Sequence, residues 1–345
     1  MNANYMYSLI AVIVLLLLAY VGVAGLHLEV LFGIVFPYVA MATFVAGFVY
    51  KLVGWAKSPV PFPITTTAGQ QVSLPMVSPA RIDNPNNKLG VVIRMLLEII
   101  LFRSLFRNTK FEIRDTDKFS YEMEKWLWLF ALAFHYAFFV VLIRHLRFFT
   151  EPVLLPVQWL EKLDGFFQVG LPGIFLSGFV LMAAVIYLFL RRVWIPQMRY
   201  ISLPADYFPL FLILAIAASG ILMRYVAKVD IVSAKELTMG LVTLRPTIPE
   251  GIGVIFYVHV FLVSVLLAYF PFSKLMHLGG IFFSPTRNLP GNTREVRYEN
   301  PWNYPVKIHT YEAYEDDFRE KMIEAGLPVE KMPGPKKNLE EGEKE

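Results

Sequence analysis

The sequence predicts an all-α integral membrane protein with six transmembrane helices. Hydrophobic residues make up 56% of the 345 residues and charged residues only 17%, against about 25% charged in a typical soluble domain. The apolar residues fall in six runs of about 20, the length that an α-helix needs to cross the hydrocarbon core of a bilayer. Charge is concentrated at the end, where 24 of the 72 residues from Lys274 onward are charged. A soluble globule is excluded, and because a net charge of +4 fits basic membrane loops, no nucleic-acid partner is expected.

The first apolar run lies at the N-terminus but does not resemble a cleaved signal peptide. It lacks a basic leader and an Ala-x-Ala cleavage site, and its apolar stretch is too long, so we expect a retained helix. In the second run, Pro37 is expected to kink the helix. The six predicted spans are Tyr5–Leu26, Leu28–Tyr50, Trp126–Phe149, Leu171–Leu190, Tyr207–Ala227 and Ile252–Ser273.

Lysine and arginine beside the helix ends predict the orientation. They are abundant after the second run, before the third and after the fourth, and scarcer in the intervening loops. We therefore expect a multi-pass protein of the cell (inner) membrane with both termini in the cytoplasm. Arg144 and Arg147, at the outer end of the third run, go against the rule and need a specific explanation.

This topology divides the chain into two N-terminal spans, a cytoplasmic loop with an amphipathic helix, a four-span domain and a cytoplasmic tail: residues 1–57, 58–125, 126–278 and 279–345. The loop contains an apolar run, Leu89–Phe106, with three charged residues: Arg94, Glu98 and Arg103. Three charges in this length favour a helix at the membrane interface or against a partner, whereas a seventh span would reverse the topology. A short helix is expected in the tail at Tyr311–Ala325.

Four of the six histidines belong to two of the spans. His135 and His145 lie in the third span, and His259 and His277 lie in or at the end of the sixth. These two spans cross the membrane in opposite directions, so His135 should be level with His277 and His145 with His259. Ten residues rise about 15 Å and eighteen about 27 Å, a difference that helix tilt, side-chain reach and a break near Pro271 can absorb.

Imidazoles facing each other from two helices are typical axial ligands of a haem. Two b haems, one nearer each face of the membrane, would use all four histidines, with His135 and His277 on the inner iron and His145 and His259 on the outer iron. With both axial positions filled, such haems carry electrons. A proton relay in a transporter or channel, or histidines that only pack, remain alternatives. The sequence has no cysteine, so iron–sulfur chemistry would have to belong to a partner.

The pattern His-x9-His followed by His-x17-His resembles the membrane cytochrome b (gamma) subunit of respiratory nitrate reductases over about Trp126–His277. Loop motifs are similar to the M-subunit branch of this family, found in the Dsr complex linked to dissimilatory sulfite reduction. Those motifs lie at Pro59–Pro63, Thr65–Gln71, Arg103–Thr109, Ser284–Asn288 and Asn300–Asn303. The first helix is additional to the five helices of the nitrate reductase subunit.

The resemblance implies haem ligation by the four histidines and menaquinone as the membrane redox partner. It also implies a cytoplasmic iron–sulfur subunit of the heterodisulfide-reductase type, a periplasmic multihaem cytochrome c, a periplasmic iron–sulfur protein and a second membrane quinone subunit. The expected function is electron transfer between menaquinol or menaquinone and the cytoplasmic partner. The alternative within the family is the cytochrome b subunit of another quinone-linked reductase, such as nitrate or heterodisulfide reductase.

Cationic residues near the outer face complete the candidate site. In the nitrate reductase family a lysine shortly after the outer ligand helps to bind quinone, and Lys162 lies in the matching region. The alternative is a solvated lysine paired with Glu161 or Asp164. Three arginines are candidate partners of haem propionates, with snorkelling to the interface as the alternative: Arg144, Arg147 and Arg224.

Overall fold

A computed structural model of the chain describes residues 4–58, 60, 69–113, 119–165, 173–296 and 309–332. Within these residues, six helices are long and apolar enough to cross a membrane, which confirms the predicted all-α membrane architecture. Their bounds are Asn4–Ala24, Leu31–Lys57, Lys125–Phe148, Leu176–Trp194, Pro204–Ala227 and Val254–Phe272. The expected start of the fourth span, Leu171, lies outside the described residues, as do the motif segments 61–68 and 300–303.

The secondary-structure elements are named in chain order. They are α1 (Asn4–Ala24), α2 (Phe36–Lys57), α3 (Lys88–Leu101), α4 (Arg103–Phe106), β1 (Thr109–Ile113), β2 (Phe119–Met123), α5 (Lys125–His145), α6 (Leu155–Asp164), α7 (Leu176–Trp194), α8 (Pro196–Ile201), α9 (Pro204–Leu222), α10 (Ile231–Val242), α11 (Val254–Tyr269), α12 (His277–Gly280), α13 (Pro285–Asn288) and α14 (Tyr311–Glu324). Short 3₁₀ turns follow α5 and α11, and π-helical turns adjoin α2 and α9.

The second span differs from its prediction at both ends. A π-helical turn, Leu31–Val35, precedes α2, and the Phe36 N–H bonds to the Leu31 carbonyl five residues back. This turn stands just before Pro37, which has no N–H to continue the ordinary ladder. At the other end α2 continues past Tyr50 to Lys57, because a helix that emerges into water tolerates lysine.

A β-hairpin between α4 and α5 was not predicted. Its strands β1 and β2 are antiparallel, with Thr109 opposite Met123 and Lys110 opposite Glu122. The segment is short and charged, and its lysines and arginines were used only to predict the orientation of the neighbouring spans in the membrane. The pairing of opposite charges across the strands is one source of its stability.

The spanning helices pack so that α5 and α11 belong to one four-helix group. α5 packs on α7, α7 on α9, and α9 on α11, while α1 packs on both α9 and α11, and α2 on α11. The main core includes Leu212 of α9 and Leu262 of α11, both fully buried. A second cluster joins Ala137 of α5 to Val185 of α7. Of the six spans, α11 is the most enclosed by protein and α5 the least.

The chain divides into two compact units, and the smaller one contains α14. This helix runs over almost the expected residues, and the Thr310 hydroxyl caps its first turn by accepting the Ala313 N–H. The Glu315 carboxylate accepts backbone N–H groups from Glu330 and Lys331 at 2.8 and 2.9 Å. These two hydrogen bonds, with a smaller contribution from Arg319, hold the pKa of Glu315 below its ordinary value.

Candidate functional site

The four membrane histidines form two pairs. The imidazole centres of His135 and His277 are 5.8 Å apart, and those of His145 and His259 are 6.3 Å apart. The antiparallel course of α5 and α11 therefore brings together the residues that were expected to be level. The break that this requires lies where expected, since α11 ends at Tyr269 and 3₁₀ turns around buried Pro271 lead to His277.

Each histidine uses its Nδ1 atom in a hydrogen bond. His135 bonds to the Ala131 carbonyl and His145 to the Val141 carbonyl, both at 2.7 Å and one helical turn back. His277 bonds to the Lys274 carbonyl at 2.9 Å. Because a carbonyl only accepts, these three rings carry their proton on Nδ1, which leaves Nε2 with a free lone pair.

The fourth histidine, His259, has a side-chain partner. The Ser219 hydroxyl of α9 lies 2.9 Å from His259 Nδ1 and donates its own proton to the Ile216 carbonyl at 3.0 Å. The serine oxygen therefore accepts the Nδ1–H of His259, which again leaves Nε2 free. Gly220 follows, and a Cβ atom there would lie 3.4 Å from the His259 ring, so little space surrounds this imidazole.

The distances fit a metal between the rings of each pair. A metal–imidazole bond of about 2.0 Å on each side, with about 1.1 Å from Nε2 to the ring centre, separates two axial imidazole centres by about 6 Å. Both observed separations agree with this value. A Nδ1–H held by a carbonyl or hydroxyl is also the usual arrangement of a metal-binding histidine. Among the described residues no group of three or more His, Asp or Glu could hold a metal ion.

The two pairs differ in ring orientation and surroundings. The imidazoles of His145 and His259, the pair predicted to be the outer one, are nearly parallel, with 15° between their planes. Those of His135 and His277, the predicted inner pair, are nearly perpendicular, at 82°. His259 is buried in the helix bundle, whereas His277 is exposed at the first residue of α12. The ring of Phe102 meets His135 edge-on, with centroids 4.9 Å apart.

The arginines expected near the outer pair have protein partners. Arg144 forms an ion pair with Asp164, and both side chains are largely buried. The Ser177 hydroxyl binds both, at 3.0 Å from Arg144 and 2.6 Å from Asp164. The Arg144 guanidinium also lies 3.4 Å above the Phe175 ring, and its buried Nε has no hydrogen-bond partner among the described residues. This Nε is a donor that a further acidic group next to His145 could use.

The remaining cations lie nearby on the same side of the bundle. Arg147 pairs with Glu161 at 2.7 Å, and the Arg224 guanidinium lies over the Phe175 ring, 4.0 Å from its centroid. Lys162 is exposed on α6. The carboxylates considered as its partners, those of Glu161 and Asp164, are instead paired with arginines.

Comparison with known proteins identifies the family. The model of the nitrate reductase gamma subunit family matches residues 93–297, which include all four histidines. The chain belongs to this family. It is 47% identical over 281 residues to the Hdr-like menaquinol oxidoreductase cytochrome b-like subunit of Archaeoglobus fulgidus, covering 79% of this chain and 84% of that protein. It is 42% identical over 274 residues to the subunit of the same name from Archaeoglobus profundus, covering 77% and 81%. Membership of the nitrate reductase gamma family confirms the expectation of an oxidoreductase subunit.

Sequence reasoning missed two residues of the site. Ser219 is the one hydroxyl in the otherwise apolar stretch Phe208–Leu222, and that position was the available signal, because polar groups at membrane depth are costly without a partner. Phe102 has no such signal. It lies 33 residues before His135, and the contact depends on how α3 packs against α5.

Proposed function

We propose that this chain is a di-haem b membrane subunit that transfers electrons between menaquinol and a cytoplasmic iron–sulfur partner. The observation that carries the proposal is the presence of two close imidazole pairs, with ring centres 5.8 and 6.3 Å apart and the Nδ1 atom of every ring in a hydrogen bond. His135 and His277 would hold the inner haem iron, and His145 and His259 the outer one. A haem with two imidazole ligands gains and loses one electron without opening a coordination position.

The two pairs are stacked along the membrane-crossing direction. His135 and His145 are ten residues apart on one continuous helix, which places them about 15 Å apart along its axis. On the other side, α11 and the turns after it carry His259 and His277 in the reverse order. The protein therefore supports an electron path from one face of the bilayer towards the other.

The outer polar cluster is proposed to serve the outer haem and the quinone. The unpartnered Nε of Arg144 is suited to a propionate beside His145, and Arg147 and Arg224 supply further positive charge. Lys162 is exposed and without an ion pair among the described residues, so its ammonium is available to a quinone oxygen. Menaquinone is the proposed substrate because the curated relatives carry menaquinol oxidoreductase in their names.

The proposed setting is an inner-membrane complex of dissimilatory sulfur metabolism, with both termini of this chain in the cytoplasm. The partners would be a heterodisulfide-reductase-like iron–sulfur subunit inside the cell, a multihaem cytochrome c and an iron–sulfur protein outside, and a second membrane quinone subunit. Support comes from the Hdr-like names of the relatives and from the loop motifs. We also propose that the chain is divided into the four regions defined above, with boundaries after residues 57, 125 and 278.

Haem content tests this function directly. The purified chain should show a b-type α band after reduction and two haems per chain by the pyridine haemochrome assay. Menaquinol analogues should reduce that band in membranes. A preparation that folds but contains no haem would overturn the proposal and leave the histidines as a relay or as packing residues. Co-purification with a nitrate reductase catalytic subunit, and not with a heterodisulfide-reductase-like protein, would overturn the proposed partner.

A further inference from the structure

The amphipathic helix α3 has its polarity reversed relative to a helix on a soluble protein. Its outward face is apolar, and Leu89, Leu96 and Ile100 are about half exposed or more. Its inward face carries Arg94, which is only 4% exposed. The Arg94 guanidinium donates to the backbone carbonyls of Asp83, Arg287 and Leu289. A helix that buries a charge and exposes leucine is arranged for an apolar solvent.

The length of α3 and the turn after it indicate a helix that enters the membrane and returns. Fourteen residues extend about 21 Å, which is too short to cross a hydrocarbon core of about 30 Å. The chain turns at Phe102, which adopts the left-handed conformation with φ of 50°, and continues into α4. Arg103 then reaches back to the Asp83 carboxylate at 3.1 Å, and Asp83 precedes α3.

The turn lies along the N-terminal half of the spanning helix α5. The Ile100 carbonyl accepts the Tyr136 hydroxyl at 3.0 Å, and the Leu101 carbonyl accepts the indole N–H of Trp128 at 2.7 Å. Tyr136 is eleven residues from the start of α5, about 16 Å along its axis. Carbonyls at a helix end in water need no such partners, whereas at membrane depth each one must be satisfied by protein.

We propose that α3 and α4 form a re-entrant hairpin whose outward face contacts lipid acyl chains. The polar end at Asn87 and Lys88 stays at the membrane surface, and the tip at Phe102 lies inside the bilayer against His135. The burial of Arg94 and the pairing of the Ile100 and Leu101 carbonyls with protein donors favour lipid on this face over a water-soluble partner. This inference rests on the proposed function only for the side of the membrane from which the hairpin enters. Its depth does not depend on haem binding.

The cysteine-free sequence permits a direct depth measurement. Single cysteines replace Leu89, Leu96 and Ile100 in the full chain, are spin-labelled, and are measured by EPR in lipid nanodiscs with oxygen and a water-soluble nickel chelate as relaxing agents. Met76→Cys, in an exposed loop, and Val45→Cys, on the exposed face of α2, are matched controls for water and lipid. Unchanged thermal unfolding of each variant shows that the label does not disturb the fold.

The hairpin predicts a graded result. From Leu89 to Ile100 the oxygen-to-nickel collision ratio should rise several-fold, from near the Met76 value to near the Val45 value. Equal nickel access at all three positions would show a helix lying flat on the surface and would overturn the proposal. Low collision rates with both agents would mean that protein covers the face, which would overturn it as well. Either failure would leave the haem content of the chain, and so the proposed function, unaffected.

Discussion

Replacing Ser219 with alanine tests the proposed role of His259 while leaving the imidazole in place. The serine oxygen accepts the Nδ1–H of His259 at 2.9 Å in a buried part of the bundle. Alanine removes that oxygen with almost no change in volume. The other three histidines use backbone carbonyls, which substitution cannot remove, so this contact is the accessible one.

The size of the effect follows from the contact. Leaving a buried N–H without a partner costs about 1–3 kcal/mol. Loss of such a partner typically weakens metal binding by a histidine about 10–100-fold. We therefore expect the outer haem to be lost from part of the purified Ser219→Ala protein while the inner haem is retained. In molecules that keep it, the imidazole is a weaker donor to ferric iron, so the midpoint potential should rise, by about 59 mV for a tenfold change in the ferric-to-ferrous preference.

EPR of the oxidised protein assigns the change to one haem. Nearly parallel imidazole planes separate the energies of the iron d orbitals, and perpendicular planes leave them close together. The outer pair, at 15°, should therefore give a smaller maximal g value than the inner pair, at 82°. Ser264→Ala is the matched control, because Ser264 is buried on the same helix as His259 and, within the described part of the chain, bonds only to the Val260 carbonyl. A Ser219→Ala protein with both signals, full haem content and unchanged potentials would refute the reasoning.

Further predictions follow from the paired side chains. His145→Ala and His259→Ala should each lower haem content from two per chain to one and leave the same perpendicular-type EPR signal; if the two variants kept different signals, the pairing would be wrong. Asp164→Asn leaves the buried Arg144 guanidinium unpaired and should lower the free energy of unfolding by about 3–5 kcal/mol. The control Glu161→Gln changes a half-exposed pair and should lower it by about 1 kcal/mol or less. Equal effects of the two substitutions would contradict the difference in burial. Because the pKa of Glu315 is lowered in the folded tail unit, its stabilisation is complete above the ordinary carboxyl pKa and is lost as pH falls through the lowered one. Amide hydrogen exchange in α14 should show that loss, and Glu315→Gln should abolish the pH dependence.

The spans and the histidine pairs were predictable because they depend on local composition and on parity. An apolar run of membrane length has few alternatives to a helix. Once α5 and α11 are separated by an odd number of crossings, the order of their histidines must invert. The break after Tyr269, which was expected near Pro271, then brings His277 level with His135.

The surroundings of α3 could not be predicted in the same way. Its periodicity shows an apolar face and a charged face but not which one points to protein. The answer depends on the carbonyls of Arg287 and Leu289, nearly 200 residues later in the chain. No local pattern encodes such a contact. The run was therefore predicted only as an amphipathic helix, with its partner open.

Helix periodicity alone could have predicted the ion-pair partners of Arg144 and Arg147. Glu161 and Asp164 are three residues apart and share a face of α6, which turns both towards the end of α5. Lys162 lies about 100° away around the same helix and points elsewhere. The alternative that paired Lys162 with Glu161 or Asp164 did not take this angular separation around the helix into account. The arginines that opposed the positive-inside rule are thus explained in the protein itself by buried or half-buried carboxylates.

The two histidine pairs depend on different parts of the molecule. His259 of the outer pair lies on α11, which packs on α9, and Ser219 of α9 orients its ring. The inner pair lies where α11 has already ended, so its geometry depends on turns and on the edge of Phe102. Repacking the bundle should therefore disturb the outer pair first. A displacement of α3 would reach His135 through Phe102 and leave the Ser219 contact intact, so a change at α3 can alter one pair without the other.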